Sequence, residues 1–142
     1  MTLDIRVFEI TDYPAAMALW QATPGVGLSG ADSLQGVAQY LERNPGMSFV
    51  AMQGQTMIGT ILCGHDGRRG LIHHLVVGTS HRRLGLGEQL VRRSLAVLRA
   101  QGIDKCHLLV FRDNREGAAF WRRIGAVERT ELFTFSLDTP RQ

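Results

Sequence analysis

The chain of 142 residues is poor in cysteine, with only Cys63 and Cys106. Two cysteines are too few for a disulfide framework or a zinc knuckle, so we expect two small, reduced residues inside the fold. No apolar run reaches the roughly 18–20 residues that a membrane-spanning helix needs. The first residues, Met1 to Arg6, lack the basic and then apolar pattern of a secretory signal. These absences predict a cytoplasmic protein that has no membrane partner.

The excess of positive over negative charge is also small, with a formal net charge of only +3. Lys105 is the only lysine, so nearly all the positive charge is arginine, which suits a small phosphorylated ligand or a solvated surface. Aromatic residues make up 7% of the chain and do not alternate with the arginines as a nucleic-acid stacking surface requires, so we expect no nucleic-acid partner. The five histidines lack the spacing and acidic companions of a metal site, which predicts no bound metal.

The pattern of apolar residues predicts a single domain over residues 1–142. Alternation predicts strands at 3–10, 47–53, 56–65 and 71–77, and helical spacing predicts helices after Pro14, between Ser33 and Asn44, and at 85–99. A strand at 107–111, a helix at 114–124 and a final strand or pair of strands at 127–137 complete the order β-α-α-β-β-β-α-β-α-β. This order predicts an α/β (α+β) sandwich with a mixed, mostly antiparallel sheet and helices on both faces.

The segment from Leu71 to Glu88 carries the clearest functional signal. An apolar strand runs into a basic turn, and Gly85 and Gly87 then open the longest helix. Free backbone N–H groups and the helix dipole make such a helix start an anion site, and glycine lets a phosphate approach the backbone. A Walker loop is excluded because no lysine follows the glycines, and a dinucleotide fingerprint because Leu90 stands in place of its third glycine. The alternative is a helix that merely begins with glycines.

The same segment resembles a known family. Residues 82–87, Arg-Arg-Leu-Gly-Leu-Gly, match the Arg/Gln-x-x-Gly-x-Gly/Ala motif of the GNAT superfamily of acyl-CoA-dependent N-acyltransferases. The block from Asn114 to Ala126, with Phe120, Trp121 and Gly125, resembles the asparagine-containing block of that family. The resemblance extends from Ile5 to Phe135, and the hairpin at 64–70 is similar to the narrower YpeA-like branch of small bacterial proteins.

The resemblance implies acetyl-CoA as cosubstrate and assigns residues to it. The backbone of the basic turn would bind the pyrophosphate, and the exposed edge of the preceding strand would pair with the pantetheine arm as an added strand. Asn114 would contact the cofactor or cap the helix that it precedes, and both roles are compatible. The implied cofactor-binding residues are Leu75, Val76, Val77, Arg82, Arg83, Leu84, Gly85, Leu86, Gly87, Glu88, Asn114, Phe120 and Trp121.

The resemblance also implies catalytic roles. The backbone N–H near Val76 or Val77 would polarise the acyl carbonyl. His73 is the candidate general base, with an inert, half-buried histidine as the alternative; strand alternation predicts that His73 and His74 point to opposite faces of the sheet. Trp121 occupies the position where the family often has a tyrosine that protonates the leaving thiolate. An indole cannot act as that acid at neutral pH, so Trp121 is expected to line the pocket wall.

These expectations combine into an N-acetyltransferase that moves an acetyl group from acetyl-CoA to a primary amine by direct attack. The acceptor would be a small molecule or a peptide or protein N-terminus, enclosed by residues 23–33 and 128–135. The alternative is a non-catalytic acyl-CoA-binding sensor or partner protein, which the tryptophan at position 121 favours. Homodimers are common in the family, so a homodimer is also an open expectation.

Overall fold

The computed structural model describes residues 3–140. Its sheet has five strands in the order β1-β2-β3-β4-β5. All neighbouring strands pair antiparallel except β4 and β5, which are parallel. Gly54, in the tight turn between β2 and β3, has a φ of 61° that glycine adopts without strain. The strands are Leu3–Val7 (β1), Phe49–Gln53 (β2), Thr56–His65 (β3), Gly70–Val77 (β4) and Cys106–Leu108 (β5).

Four α-helices accompany the sheet, and their starts follow local sequence signals. Pro14 lies in the first turn of α1, and the side chain of Ser33 accepts the N–H of Gly36 at the start of α2. Asn114 caps α4 in the same way through the N–H of Gly117. The helices are Tyr13–Gln21 (α1), Leu34–Arg43 (α2), Leu86–Ala100 (α3) and Arg115–Arg123 (α4).

The two faces of the sheet are covered by different helices. Trp20 of α1 and Val37 of α2 belong to one buried cluster with Val50 of β2 and Leu62 of β3. The opposite face packs against α3, where a Cβ added at Gly59 would lie 3.2 Å from Leu90 Cδ1. Burial of both faces explains why the central strands β2 to β4 contain near-continuous apolar runs.

The chain consists of two compact units, whose described residues are 3–109 and 110–140. The first unit contains the sheet and helices α1 to α3, and the second contains α4 and the residues after it. A single domain over residues 1–142 stays a prediction.

The predicted fold class is confirmed, and the observed elements follow the predicted order as far as α4. The predicted strand at 107–111 is shorter, Cys106–Leu108, and Leu109 and Phe111 beyond it are 72% and 60% exposed. The predicted final strand at 127–137 does not form in the described residues, since nothing after Leu108 joins a strand ladder. A strand needs a neighbour to accept its backbone hydrogen bonds, and Val127 and Phe133 are 80% and 87% exposed.

Candidate functional site

A bulge interrupts strand β4 where the sequence predicts the site. Thr60 pairs with Val76 and Leu62 with His73, so two β4 residues face a single β3 residue between these pairs. His74, inside the bulge, has a φ of 48°, which is left-handed and uncommon for a residue with a side chain. The hydroxyl of Thr60 donates to the His74 carbonyl oxygen at 2.9 Å and holds this conformation. Bulges of this kind redirect side chains beside functional sites.

The other edge of β4 is open along its last residues. Among the described strands, β4 pairs with β5 only from Gly70 to Ile72, so no strand neighbours β4 on that side from His73 to Val77. Val76 is buried, whereas Leu75 and Val77 are partly buried. An unpaired strand edge offers N–H and C=O groups to an extended ligand. The edge that the sequence predicts for the pantetheine arm therefore has no strand neighbour among the described residues.

His74 is hydrogen-bonded to a carboxylate from the segment that joins α1 and α2. Its Nε2 lies 2.7 Å from Asp32 Oδ1, and both side chains are nearly buried, at 13% and 11% exposure. The His74 ring also packs on Trp20, with 4.7 Å between ring centroids. Trp20 Nε1 donates to the Thr60 hydroxyl at 2.9 Å, so one network joins α1, the α1–α2 segment, β3 and β4.

His73, the predicted base, lies on the same face of the sheet as His74. Its ring is 5.8 Å from that of Tyr40 in α2 and 6.4 Å from that of His74. The prediction that the two histidines occupy opposite faces is wrong, because the bulge breaks the two-residue alternation of β4. Burial, and then the nearby charge of His74, lower the pKa of His73, while Asp32 opposes this shift. His73 therefore favours its neutral form.

The basic turn leads into α3 as the sequence predicts. Arg82 Nε donates to the Val77 carbonyl oxygen at 3.2 Å, and the exposed Arg83 has a φ of 66°. Gly85, with a φ of 76°, precedes the helix and no side chain caps it. The backbone N–H groups of the first turn, at positions 86–88, are therefore available to an anion.

Other predicted residues of this turn point in different directions. Leu84 is 59% exposed, Leu86 is buried in the core, and Glu88 pairs with Arg92 at 3.1 Å. A shallow groove of 410 Å³ runs along the outer face of α3 from the glycine end of the helix. It is lined by Gly85, Glu88, Gln89, Arg92, Arg93 and Ala96.

The remaining predicted residues belong to the second unit. Asn114 Oδ1 accepts the N–H of Gly117 at 3.0 Å, so its capping role is observed. Phe120 and Trp121 lie in α4 with their rings in edge contact at 5.2 Å, and the Arg123 guanidinium lies 5.5 Å from the Phe120 ring. Their roles in cofactor binding stay predictions.

The two thiols are unsuited to nucleophilic attack. Burial raises the pKa of Cys63 to about 12, and burial also raises the pKa of Cys106. A thiolate rather than a thiol is the nucleophile, so neither residue is activated. Among residues 3–140, no group of three or more His, Cys, Asp or Glu side chains is arranged to hold a metal ion. No helix in that range is long and apolar enough to cross a membrane.

Asp32 is a residue of the site that the sequence did not indicate. It lies 42 positions before His74, and its place beside Ser33 is typical of a residue at the start of a helix. The local sequence does not predict its contact with β4, because that contact depends on how the α1–α2 segment folds over the sheet.

Comparison with known proteins now decides the family. The family model for the acetyltransferase (GNAT) family matches residues 13–126. The chain belongs to this family. It is 30% identical over 112 residues to a protein named acetyltransferase from Pectobacterium atrosepticum, and the match covers 79% of each protein. The resemblance stated from the sequence is confirmed, and the protein is an acyltransferase enzyme. Its placement in the YpeA-like branch stays a prediction.

Solved structures share the fold of this GNAT protein. Ard1 from Thermoplasma volcanium superposes with a TM-score of 0.76 at 21% identity, over 89% of this chain and 84% of that one. PaiA N-acetyltransferase from Thermoplasma acidophilum, solved in complex with coenzyme A, has a TM-score of 0.74 at 20% identity, over 88% and 89% of the two chains. At these identities the likeness shows the fold.

Proposed function

We propose that this GNAT protein is an N-acetyltransferase that moves an acetyl group from acetyl-CoA to a primary amine by direct attack. The observation that carries the proposal is the open edge of β4 from His73 to Val77, which lies beside a bulge and leads through the basic turn into the uncapped start of α3. This arrangement offers a long ligand backbone pairing at one end and an anion site at the other.

The residues present suit acetyl-CoA, which supplies the thioester that the amine attacks. The first-turn N–H groups at positions 86–88 would bind pyrophosphate oxygens, and Gly85 leaves that backbone uncovered. Arg82 and Arg83 would add positive charge near the pyrophosphate. Arg92 and Arg93, which line the α3 groove, would add positive charge for a further phosphate group of the cofactor. Leu75 and Val77 would present their main chain to the pantetheine arm, so their side chains need not be specific. Asn114, Phe120 and Trp121 complete the proposed cofactor set.

The protein would promote the reaction mainly by polarising the acyl carbonyl and by positioning the amine for attack. A backbone N–H near Val76 or Val77 would donate to the acyl oxygen as negative charge develops on it. Neither cysteine is needed as a nucleophile, in agreement with their raised pKa values. The leaving thiolate would take a proton from solvent, because the indole of Trp121 is not an acid. The amine must lose a proton, and the two β4 histidines are the candidates to accept it.

The acceptor is proposed to be a primary amine without a preference for polycations. Residues 23–33, one of the two segments predicted to enclose the acceptor site with residues 128–135, contain one charged residue, Asp32. Both carboxylate oxygens of Asp32 already have partners, since one bonds His74 and the other accepts the N–H of Ser29. Within residues 23–33, the one carboxylate therefore already has a partner on each oxygen, and this segment has no acidic cluster for a second ammonium group.

The test combines acetyl-CoA with an amine panel of phenethylamine, spermidine, free alanine and a peptide with an N-terminal alanine. We expect release of free CoA and an acetylated product by mass spectrometry, with spermidine the poorest acceptor. Tight binding of acetyl-CoA without turnover of any amine would instead support the acyl-CoA sensor.

A further inference from the structure

We propose that Asp32 and His74 form a catalytic carboxylate–histidine pair in which His74, held by Asp32, accepts the proton of the acceptor amine. This inference rests on the proposed acetyl transfer and identifies the base within that site. It places the base one residue after the position that the sequence indicated, and it adds a positioning residue, Asp32, from a different part of the chain.

The contact with Asp32 fixes the tautomer of His74. An ionised carboxylate only accepts hydrogen bonds, so at 2.7 Å from Asp32 Oδ1 the Nε2 atom of His74 carries the hydrogen. In the neutral ring the lone pair then resides on Nδ1, the atom that can take a proton. The carboxylate also stabilises the imidazolium that forms, which is the role of the acid in catalytic triads.

The Asp32 carboxylate is itself held in place. Asp32 Oδ2 accepts the N–H of Ser29 at 2.9 Å, and the Tyr13 hydroxyl donates to the Asp32 carbonyl oxygen at 2.6 Å. These bonds attach the short turn Gly30–Asp32 to its own start and to α1. Asp32 is therefore held in one orientation toward β4, as a positioning residue must be.

The free nitrogen of His74 is not fully enclosed and lies close to the proposed chemistry. Among the described residues, no hydrogen bond to Nδ1 is found, and no side chain has a fully buried nitrogen or oxygen without a partner, so Nδ1 is not fully enclosed by the protein. His74 lies in the bulge, two residues before Val76 in the sequence, and the backbone of Val76 lies beside the proposed position of the acyl carbonyl. The Thr60 hydroxyl and the Trp20 ring keep the residue in this conformation.

His73 is less suited to act as the base. It contacts the rings of Tyr40 and His74 but has no hydrogen bond that would select a tautomer. Burial lowers its pKa, which makes it a weaker base. The titratable groups that face the pair are Tyr13 on α1, Tyr40 on α2 and His73 on β4, and burial raises the pKa of Tyr40, so that it stays neutral.

The proton and electron balance is complete without a further reactant. The ammonium form of the acceptor gives one proton to His74 Nδ1, and the freed nitrogen lone pair forms the bond to the acyl carbon. The second amine proton passes to solvent as the carbon–sulfur bond breaks, and the sulfur keeps the electron pair of that bond and takes a proton from solvent to give free CoA. His74 returns its proton to solvent, so the net products are the amide, CoA and one proton.

The test measures kcat/KM from pH 5 to 9 with saturating acetyl-CoA and the panel amine that the wild type acetylates fastest. We expect a limb that rises with pH through one histidine-type ionisation. His74→Gln should lower kcat/KM on the order of a hundredfold or more and remove that limb. Asp32→Asn should lower kcat/KM nearly as much, although asparagine has the same shape as aspartate. The asparagine amide N–H would face Nε2 of His74, so the ring hydrogen would move to Nδ1 and leave no free lone pair there. His73→Gln should keep the limb.

Asp66→Asn is the matched control, since Asp66 accepts backbone N–H groups in the β3–β4 hairpin and lies outside the site. Nitrogen-15 NMR of the free protein reads the tautomer without turnover and should find the hydrogen on Nε2 of His74 in the wild type and on Nδ1 in Asp32→Asn. A wild type that acetylates no panel amine overturns the proposed function and this inference with it. Turnover that keeps its pH limb in folded His74→Gln, or loses it only in His73→Gln, overturns this inference alone.

Discussion

At the scale of the residue, Thr60 connects the core to the bulge of β4. Its side chain is fully buried, accepts a hydrogen bond from Trp20 Nε1 and donates one to the His74 carbonyl oxygen. One hydroxyl therefore satisfies a buried indole N–H and fixes a left-handed residue. Removing one partner from such a network leaves the other polar groups without partners, which costs more than the bond itself contributes.

Thr60→Val tests this arrangement because valine keeps the shape and removes the hydroxyl. We expect the free energy of unfolding to fall by about 1–3 kcal/mol, because the Trp20 N–H remains buried without an acceptor. Urea unfolding followed by circular dichroism measures the change. Thr56→Val, at an exposed position of the same strand, is the control and should change stability by less than about 0.5 kcal/mol. Equal effects at both positions would contradict the role given to Thr60.

Trp121 gives a second prediction at this scale. If the leaving thiolate is protonated by solvent, Trp121→Tyr should raise kcat because a phenol can donate a proton where an indole cannot. Trp121→Phe is the matched variant, with an aromatic ring of similar size and no donor. In steady-state assays, Trp121→Tyr should have a higher kcat than Trp121→Phe, and the two variants should bind acetyl-CoA with equal affinity. A loss of two orders of magnitude in the Phe variant alone would show that the indole itself takes part.

At the scale of the element, the structure explains which sequence predictions succeed. Helix α3 is predicted to within one residue because Gly85 and Gly102 mark its ends and its apolar stripe is regular. Of the two β4 histidines, only His73 is predicted as a site residue. The prediction of opposite faces is wrong, since a bulge in one strand depends on the register of its neighbour β3. The predicted strand at 127–137 alternates in sequence but has no ladder partner among the described strands.

The start of α3 carries the prediction for cofactor binding. Gly87→Val places a β-branched side chain over the first-turn N–H groups, so we expect the Kd for CoA to rise at least on the order of tenfold. Calorimetry measures the affinity, and circular dichroism checks that the helix remains. Ala100→Val, a similar change at the exposed opposite end of α3, should bind CoA as the wild type does. Unchanged affinity in Gly87→Val would remove the helix start from the proposed phosphate site.

The junction between β1 and α1 carries a pH prediction. Arg6 forms two 2.8 Å hydrogen bonds to the Asp12 carboxylate, and these lower the pKa of Asp12. A carboxyl group with a lowered folded-state pKa stabilises the fold above its unfolded pKa and loses that contribution as the pH falls through its folded pKa. Because Arg6 is 42% exposed, solvent screening limits the contribution to about 1 kcal/mol.

Asp12→Asn should therefore be less stable than the wild type at pH 7, and the difference should shrink as the pH falls below about 4. Urea unfolding at pH 7, 5 and 3 measures it. Asp138→Asn, at an exposed position, controls for the general loss of a negative charge. A difference that is constant with pH would show that Asp12 acts through its backbone contacts rather than through its charge.

At the scale of the whole molecule, the two units raise the question of cooperativity. The proposed cofactor set includes the basic turn in the first unit and Asn114 in the second. The family model spans both, from residue 13 to 126. A cofactor that needs residues from both units stabilises them together, and saturation at about 100 times Kd adds about 2.7 kcal/mol to the folded state. This linkage and the predicted single domain both require that the units unfold in one step.

The two tryptophans make this testable, because Trp20 lies in the first unit and Trp121 in the second. In Trp121→Phe the fluorescence reports only on Trp20, and in Trp20→Phe only on Trp121. We expect each fluorescence transition in urea to coincide with circular dichroism, and excess CoA to move both midpoints upward together, since coincident probes are the signature of two-state unfolding. Because Trp20 is a buried core residue, Trp20→Phe should lower the urea midpoints measured by fluorescence and by circular dichroism. The two midpoints of this variant should still coincide. A Trp121 transition at lower urea than the loss of sheet and helix signal would show two independently stable units and contradict the single domain.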